Sequence, residues 1–153
     1  MSSLVYRRNF LRTGLAMCAS LAIPPARACE FFTSTLRITH PWTRATAPGA
    51  TTAVVCMKID EVIDADRLIG VDTPVAKGAE LVINGAVSRL NLPIPKGREM
   101  ILGEEGTMVR LIGLNHPLLI ARTYPFKLIF EKSGIVDVEL NVDYLDPAPL
   151  KRG

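Results

Sequence analysis

Residues 106–117, GTMVRLIGLNHP, bring together the side chains that could do chemistry in this chain. Met108 offers a thioether and His116 an imidazole, and both groups can be ligands of a metal ion. Arg110 lies between them and carries a permanent positive charge, which opposes the binding of a cation. The alternation of side chains from Met108 to Ile112 is typical of a strand. The stretch is therefore a metal site, the remnant of one, or an ordinary strand followed by a loop histidine.

Other soft ligands occur elsewhere, and most have an ordinary structural interpretation. Met57 and Met100 lie within apolar stretches, where a methionine typically fills the core. His40 precedes a Pro-Trp pair, and a histidine in such a turn is typically a hydrogen-bonding group at the surface. A substitute metal site would have to combine Met108 and His116, with Met100 as a third ligand, by folding the strand end and the loop together. We therefore expect no cofactor.

The first residues have the three regions of an export signal. Arg7 and Arg8 stand ahead of a Phe-Leu pair, an apolar run covers 13–23, and Ala-Arg-Ala ends at Ala28. The apolar run is too short for a bilayer, which takes about 20 residues. Twin arginines in this position are read by an export receptor and are not an anchor. The sequence predicts a twin-arginine signal peptide over 1–28, a periplasmic mature protein and no transmembrane segment in it.

The positive charge of the chain belongs to this signal. The whole sequence has 18 basic and 15 acidic residues, and four of the arginines, but no acid, lie within 1–28. The mature chain therefore has a formal charge of −1, with 14 basic residues against 15 acidic ones. Such a balance gives no support to nucleic-acid binding, and we expect no nucleic-acid partner.

The mature chain keeps two of the three cysteines, Cys29 and Cys56. In an oxidising compartment such a pair predicts a disulfide. Closing a loop of about 28 residues would stabilise the fold by roughly 3–4 kcal/mol in chain-entropy models. Two alternatives stay open: both thiols remain reduced as soft metal ligands, or Cys29 is a lipidated first residue, although Ala26 and Arg27 match a lipobox poorly.

The mature region has the pattern of short strands separated by turns. The clearest strand is 135–143, where four apolar residues alternate with four polar ones, and 126–131 precedes it through a Lys-Ser-Gly hairpin turn. Residues 53–59 form a continuous apolar run, typical of a strand buried on both faces. Further strands are predicted over 68–73, 80–84, 88–92, 98–102 and 108–112. We expect an all-β domain over 29–145, an antiparallel β-sandwich or barrel, and a flexible tail over 146–153.

Several of these stretches resemble one family. Residues 38–59, 66–81 and 94–114 and the hairpin 126–142 are similar to segments of the PCuAC family of periplasmic copper chaperones. The resemblance covers nearly all of the mature chain. It implies a cupredoxin-like β-sandwich, and a role in holding Cu(I) and delivering it to the copper centre of cytochrome oxidase.

The family binds Cu(I) with two histidines and two methionines. Its Glu-Leu-His-x-Met pattern reads Glu-Leu-Val-Ile-Asn here, so Val82 and Asn84 stand at ligand positions. A Met-x-Met pattern aligns with Ser-Arg-Leu at 88–90, across a shorter hairpin. Its Gly-Tyr-His-x-Met pattern reads Gly-Thr-Met-Val-Arg here, so Met108 replaces the histidine and Arg110 the methionine. The resemblance implies a divergent member that keeps the scaffold and loses the Cu(I) ligands.

Two functions follow from this interpretation. The first is copper homeostasis or oxidase copper-centre assembly by a member whose Cu(I) site is degenerate. The alternative is a protein-interaction module without metal, which works beside a true copper chaperone or an oxidase-assembly factor as its partner. No arrangement of a nucleophile, base and acid and no phosphate-binding loop is present in the sequence, so we expect no enzyme.

Overall fold

The computed structural model describes residues 29–145, which form eleven strands and, within this range, no helix. The strands are β1 (Glu30–Phe32), β2 (Arg37–Arg44), β3 (Thr52–Asp60), β4 (Asp66–Asp72), β5 (Gly78–Ile83), β6 (Ala86–Arg89), β7 (Leu92–Ile94), β8 (Met100–Leu102), β9 (Thr107–Ile112), β10 (Thr123–Phe130) and β11 (Gly134–Tyr144). The all-β prediction is confirmed.

The strands follow the order β6-β5-β9-β3-β2-β11-β10-β4-β7, with β1 beside β2 and β8 beside β3. Strand β3 joins the two layers of the sandwich, because it pairs with β9 through its first half and with β8 through its second half. All pairs are antiparallel except β11 with β2, which run parallel. The rest of the sheet is antiparallel, as predicted.

The core lies between the layers and contains the apolar faces that the sequence alternation predicts. Strand β11 buries Val138, Leu140 and Val142. Strand β10 buries Phe126, Leu128 and Phe130 opposite them. Burying one such side chain contributes about 1.5–3 kcal/mol. The apolar run of β3 is also buried on both faces as predicted, because Val55 and Met57 point into the core while Cys56 is buried on the other side.

The hairpin between β10 and β11 is held by a carboxylate distant in sequence. Asp66 is 5% exposed, and its two oxygens accept hydrogen bonds from the Lys132 and Ser133 amides and from the Ser133 hydroxyl. Burial alone would raise the pKa of Asp66, but these hydrogen bonds outweigh it and hold the pKa below its ordinary value. Gly134 closes the turn with a φ of +76°, a conformation that glycine adopts without strain.

Two of the predicted elements differ in the structure. The predicted strand 88–92 is divided into β6 and β7, which lie at opposite ends of the strand order. The predicted turn at Pro41 is instead part of β2, whose pairing with β3 shifts register between Thr39 and Trp42. His40 takes up this irregularity with a φ of +47°, as expected for a β-bulge.

The predicted signal peptide with Arg7 and Arg8, and the predicted tail over 146–153, lie outside the described residues. Between residues 29 and 145, no helix has the length and apolar character needed to cross a membrane.

Candidate functional site

One row of side chains crosses the outer face of β6, β5 and β9. Val82 pairs directly with Val87 on one side and with Met108 on the other. Because Leu81 points into the core and neighbouring residues of a strand alternate, this row faces outward. Val82 is nevertheless only 2% exposed. The three neighbours therefore form an apolar patch in which the Met108 thioether is the only soft donor.

A charged row lies next to the apolar one on the same face. Glu80 pairs in register with Arg110 on β9 and with Arg89 on β6. The guanidinium of Arg110 donates to Oε1 of Glu80 from Nη2 at 2.6 Å and from Nε at 2.8 Å. The two side chains are 30% and 21% exposed, so the ion pair is half-buried.

Asn84 is committed to the turn that joins β5 and β6. It has a φ of +49° and Gly85 a φ of +85°, which is the pattern of a two-residue type I′ hairpin. The backbone amide of Asn84 also donates to the carbonyl of Gly106 at 3.0 Å. The structure therefore brings positions 82, 84, 108 and 110 to one end of the β5–β9 pair.

The structure does not bring Met100, Met108 and His116 together. Met100 lies on β8 opposite Ile59 and packs against the core. Met108 is near the start of β9, whereas His116 follows the end of that strand, and four residues of strand alone span about 13 Å. His116 is exposed, donates from Nδ1 to the Pro117 carbonyl at 2.9 Å and lies beside Tyr124. Within 29–145 there is also no group of three His, Cys, Asp or Glu side chains placed to hold a metal ion.

The predicted disulfide is not formed in the structure, in which Cys29 and Cys56 are free thiols. The carbonyl of Cys29 accepts the His40 amide of β2 at 2.6 Å, whereas Cys56 pairs with Trp42 across the other edge of β2. Two strand spacings amount to about 9.5 Å, and a disulfide spans at most about 7 Å between Cα atoms. The bond would therefore require the chain at Cys29 to leave its place beside β2.

A second cluster joins the end of β2 to the loop after β8. Trp42 and Tyr144 meet edge to face with ring centroids 4.8 Å apart, and Arg44 lies 5.9 and 5.5 Å from their centroids. Arg44 also donates to both carboxylate oxygens of Glu104, at 2.7 and 2.9 Å. Arg44 therefore both lies beside the aromatic rings and pairs with a carboxylate. Glu104 carried no sequence signal, because it lies 60 residues away from Arg44.

His40 is a hydrogen-bonding residue, but on a strand and not in a turn. Its Nε2 lies 2.6 Å from Oδ2 of Asp143, on the polar face of β11. This contact ties the bulge of β2 to the far end of the chain. Sequence reasoning missed it, since the parallel pairing of β2 with β11 leaves no local pattern.

Comparison of the sequence with models of protein families shows to which family this chain belongs. The model of a family described as putative lipoprotein LpqE-like matches residues 36–142. The chain belongs to the LpqE-like family. The match covers most of the described residues and includes both rows of the β5–β9 face.

Solved structures place this LpqE-like chain among PCuAC domains. The copper-bound PCuAC domain from PmoF2 is 25% identical, with a TM-score of 0.69 over 75% of this chain and 97% of that one. The apo PCuAC domain from PmoF1 is 23% identical, with a TM-score of 0.68 over 75% and 98%. The Cu(I) form of DR1885 from Deinococcus radiodurans is 20% identical, with a TM-score of 0.59 over 77% and 81%. No match to a curated protein sequence reaches significance. These findings confirm the resemblance to the PCuAC copper-chaperone family and the cupredoxin-like fold.

Proposed function

We propose that this LpqE-like protein is an exported, non-enzymatic protein of copper homeostasis or oxidase copper-centre assembly, and that its family Cu(I) site is degenerate. Membership in a copper-chaperone family supports the copper-linked context. The Arg110–Glu80 ion pair carries the proposal for the site. It occupies the position where the resemblance expects a methionine ligand.

The chemistry of the four positions supports the loss of the metal. Val82 has no donor atom, and the Asn84 backbone is committed to a type I′ turn. The carboxylate of Glu80, which could attract a cation, is already neutralised by Arg110. Only the Met108 thioether remains, and one thioether is too few ligands for tight Cu(I) binding.

Competition against a Cu(I) chelator under reducing conditions tests the proposal. We expect the exported protein to leave the copper with the chelator. Replacing Val82→His, Met108→His and Arg110→Met together restores three ligands, and we expect at least a hundredfold gain in retained copper. Asn84 stays unchanged in this variant because a methionine would be strained at its positive φ.

The matched control places alanine at the same three positions, so that it removes the ion pair without adding ligands. The proposal is wrong if the native protein holds copper against the chelator and loses it on Met108→Ala. It also fails if the histidine and alanine triple variants behave alike.

A protein-interaction module without metal is the second candidate, and the cluster of Trp42, Tyr144 and Arg44 favours it. These three residue types dominate the binding energy of protein interfaces, and here they lie together with Tyr144 53% exposed. A copper chaperone or an oxidase-assembly factor would be the partner. Co-purification of such a protein with native chain, lost on Trp42→Ala but unaffected by copper depletion, would favour this function.

Export is part of the proposal, and the family description as a putative lipoprotein supports it. We expect Arg7→Lys with Arg8→Lys to keep the protein in the cytoplasm if the signal is of the twin-arginine type. Mass spectrometry of the exported native protein distinguishes a free Cys29 amino terminus from a lipidated one. The weak lipobox favours the free terminus.

A further inference from the structure

A groove lies along β10 and β11, which belong to a different layer of the sandwich from the β5–β9 rows. It has a volume of about 570 Å³, which is within the usual range of ligand sites. Its apolar lining comes from Phe31, Pro74, Tyr124 and Pro125. None of the residues that carry the copper proposal lines it.

Acidic side chains surround this apolar surface. Asp72 and Asp137 stand in register on the two sides of Lys127, and Glu139 is the next outward residue of β11. Lys127 lies 3.6 Å from Asp137. Among residues 29–145, neither Asp72 nor Glu139 has a cationic group within 4 Å. The groove therefore carries an excess of negative charge that the fold itself does not neutralise.

The spacing of the carboxylates selects the kind of ligand. Asp72 and Asp137 are two strand spacings apart, about 9.5 Å, so they cannot converge on one metal ion. An extended chain presents side chains on one face about 7 Å apart, and long basic side chains can reach carboxylates at such distances. Pro125, in the lining of the groove, has no amide hydrogen with which β10 could pair with an added strand. The groove would therefore recognise a ligand through side chains and not by adding a strand to the sheet.

We propose that this groove binds an extended basic segment of a partner protein. Its apolar residues pack against Pro74 and Pro125, and its lysine or arginine side chains pair with Asp72 and Glu139. The charge complementarity steers the encounter and makes it sensitive to salt. This inference does not depend on whether the protein carries copper.

A fluorescent, end-capped decapeptide of alternating leucine and arginine is the probe, titrated against the purified exported protein and followed by anisotropy. We expect saturable binding at low salt and at least a tenfold loss of affinity on Asp72→Asn with Glu139→Gln. The matched control, Glu61→Gln with Glu105→Gln, removes the same charge from exposed positions outside the groove. It should bind as the native protein does.

Amide chemical shifts in the native protein give a second measurement, and we expect the changes to map to β10, β11 and Pro74. The inference is overturned if the peptide does not bind, if a glutamate version binds equally well, or if both double variants lose affinity alike. Asp72→Asn with Glu139→Gln should leave the Cu(I) competition unchanged, so failure here is distinct from failure of the proposed function.

Discussion

Arg110 and Glu80 pair across β9 and β5, with two guanidinium nitrogens within 2.8 Å of one carboxylate oxygen. This contact lies beside the cross-strand neighbours Val82 and Met108. An ion pair and an apolar contact thus fill the end of the sheet where the resemblance to PCuAC proteins expects four soft ligands. Both contacts stabilise the β5–β9 pairing without metal.

The first prediction concerns the strength of this ion pair. Arg110→Met should lower the free energy of unfolding by about 0.5–1 kcal/mol, as expected for a partly exposed pair. Urea unfolding of Arg110→Met, Glu80→Gln and the double variant gives the coupling energy. We expect the coupling to shrink in high salt. A coupling near zero at low salt would mean that the contact contributes nothing to stability.

The sequence predicts the local parts of this fold better than the distant ones. The alternation of apolar and polar residues in β10 and β11 involves neighbouring residues, so that hairpin and its buried face could be predicted. By contrast, strand β2 was not predicted, because Pro41 is typical of a turn, whereas the structure accommodates it in a bulge. The division of 88–92 was missed because Leu90 and Leu92 alternate with polar residues as in one strand, whereas β6 ends at Arg89 and β7 begins at Leu92.

The candidate site shows the same limit. The ligand positions could be assigned from the resemblance, and the structure does place 82, 84, 108 and 110 together. That Glu80 pairs with Arg110 depends on the register of β5 against β9, which no local pattern specifies. The predicted disulfide rested on the number of cysteines and on an oxidising compartment. The strand β2 between the two cysteines could not be foreseen from the sequence.

The second prediction concerns Asp66, which holds the β10–β11 turn. Asp66→Asn should destabilise the protein by about 1–3 kcal/mol at pH 7. The NH2 group of the new amide would face a hydrogen-bond donor at a position where a carboxylate oxygen now accepts a hydrogen bond. Since the pKa of Asp66 is lowered in the folded state, its contribution is present above the unfolded pKa and is lost as the pH falls through the folded one. Urea unfolding should show that the native protein and Asp66→Asn differ less in their free energy of unfolding at pH 3 than at pH 7.

Asp64→Asn is the control for this prediction. Asp64 is 61% exposed, and its ion pair with Lys132 is long, at 3.6 Å. It should change stability little at either pH. If the two variants are equally stable at pH 7, the turn does not depend on the buried carboxylate.

The third prediction concerns the two thiols. Burial, and to a lesser degree the negative charge of Glu104, raise the pKa of Cys56 to about 12, and the thiolate is the reactive form. At pH 8 iodoacetamide should therefore modify Cys29 in the native protein and reach Cys56 only after unfolding. Mass spectrometry after timed quenching measures both rates. Protein purified without reductant that resists alkylation at both sites after unfolding would instead establish the disulfide.

The last prediction uses Trp42, the only tryptophan of the chain, as a reporter of its cluster. Arg44 and Tyr144 both lie against the indole, and Glu104 holds the Arg44 guanidinium in place through two hydrogen bonds. Arg44→Ala should therefore increase the quenching of Trp42 fluorescence by acrylamide, and Glu104→Gln should have a smaller effect of the same sign. Lys127→Ala, on β10 and therefore two strands away from β2, is the control and should leave quenching unchanged. Equal quenching in the native protein and the three variants would show that Arg44 does not cover the indole in solution. The cluster would then not be a preformed contact surface for a partner.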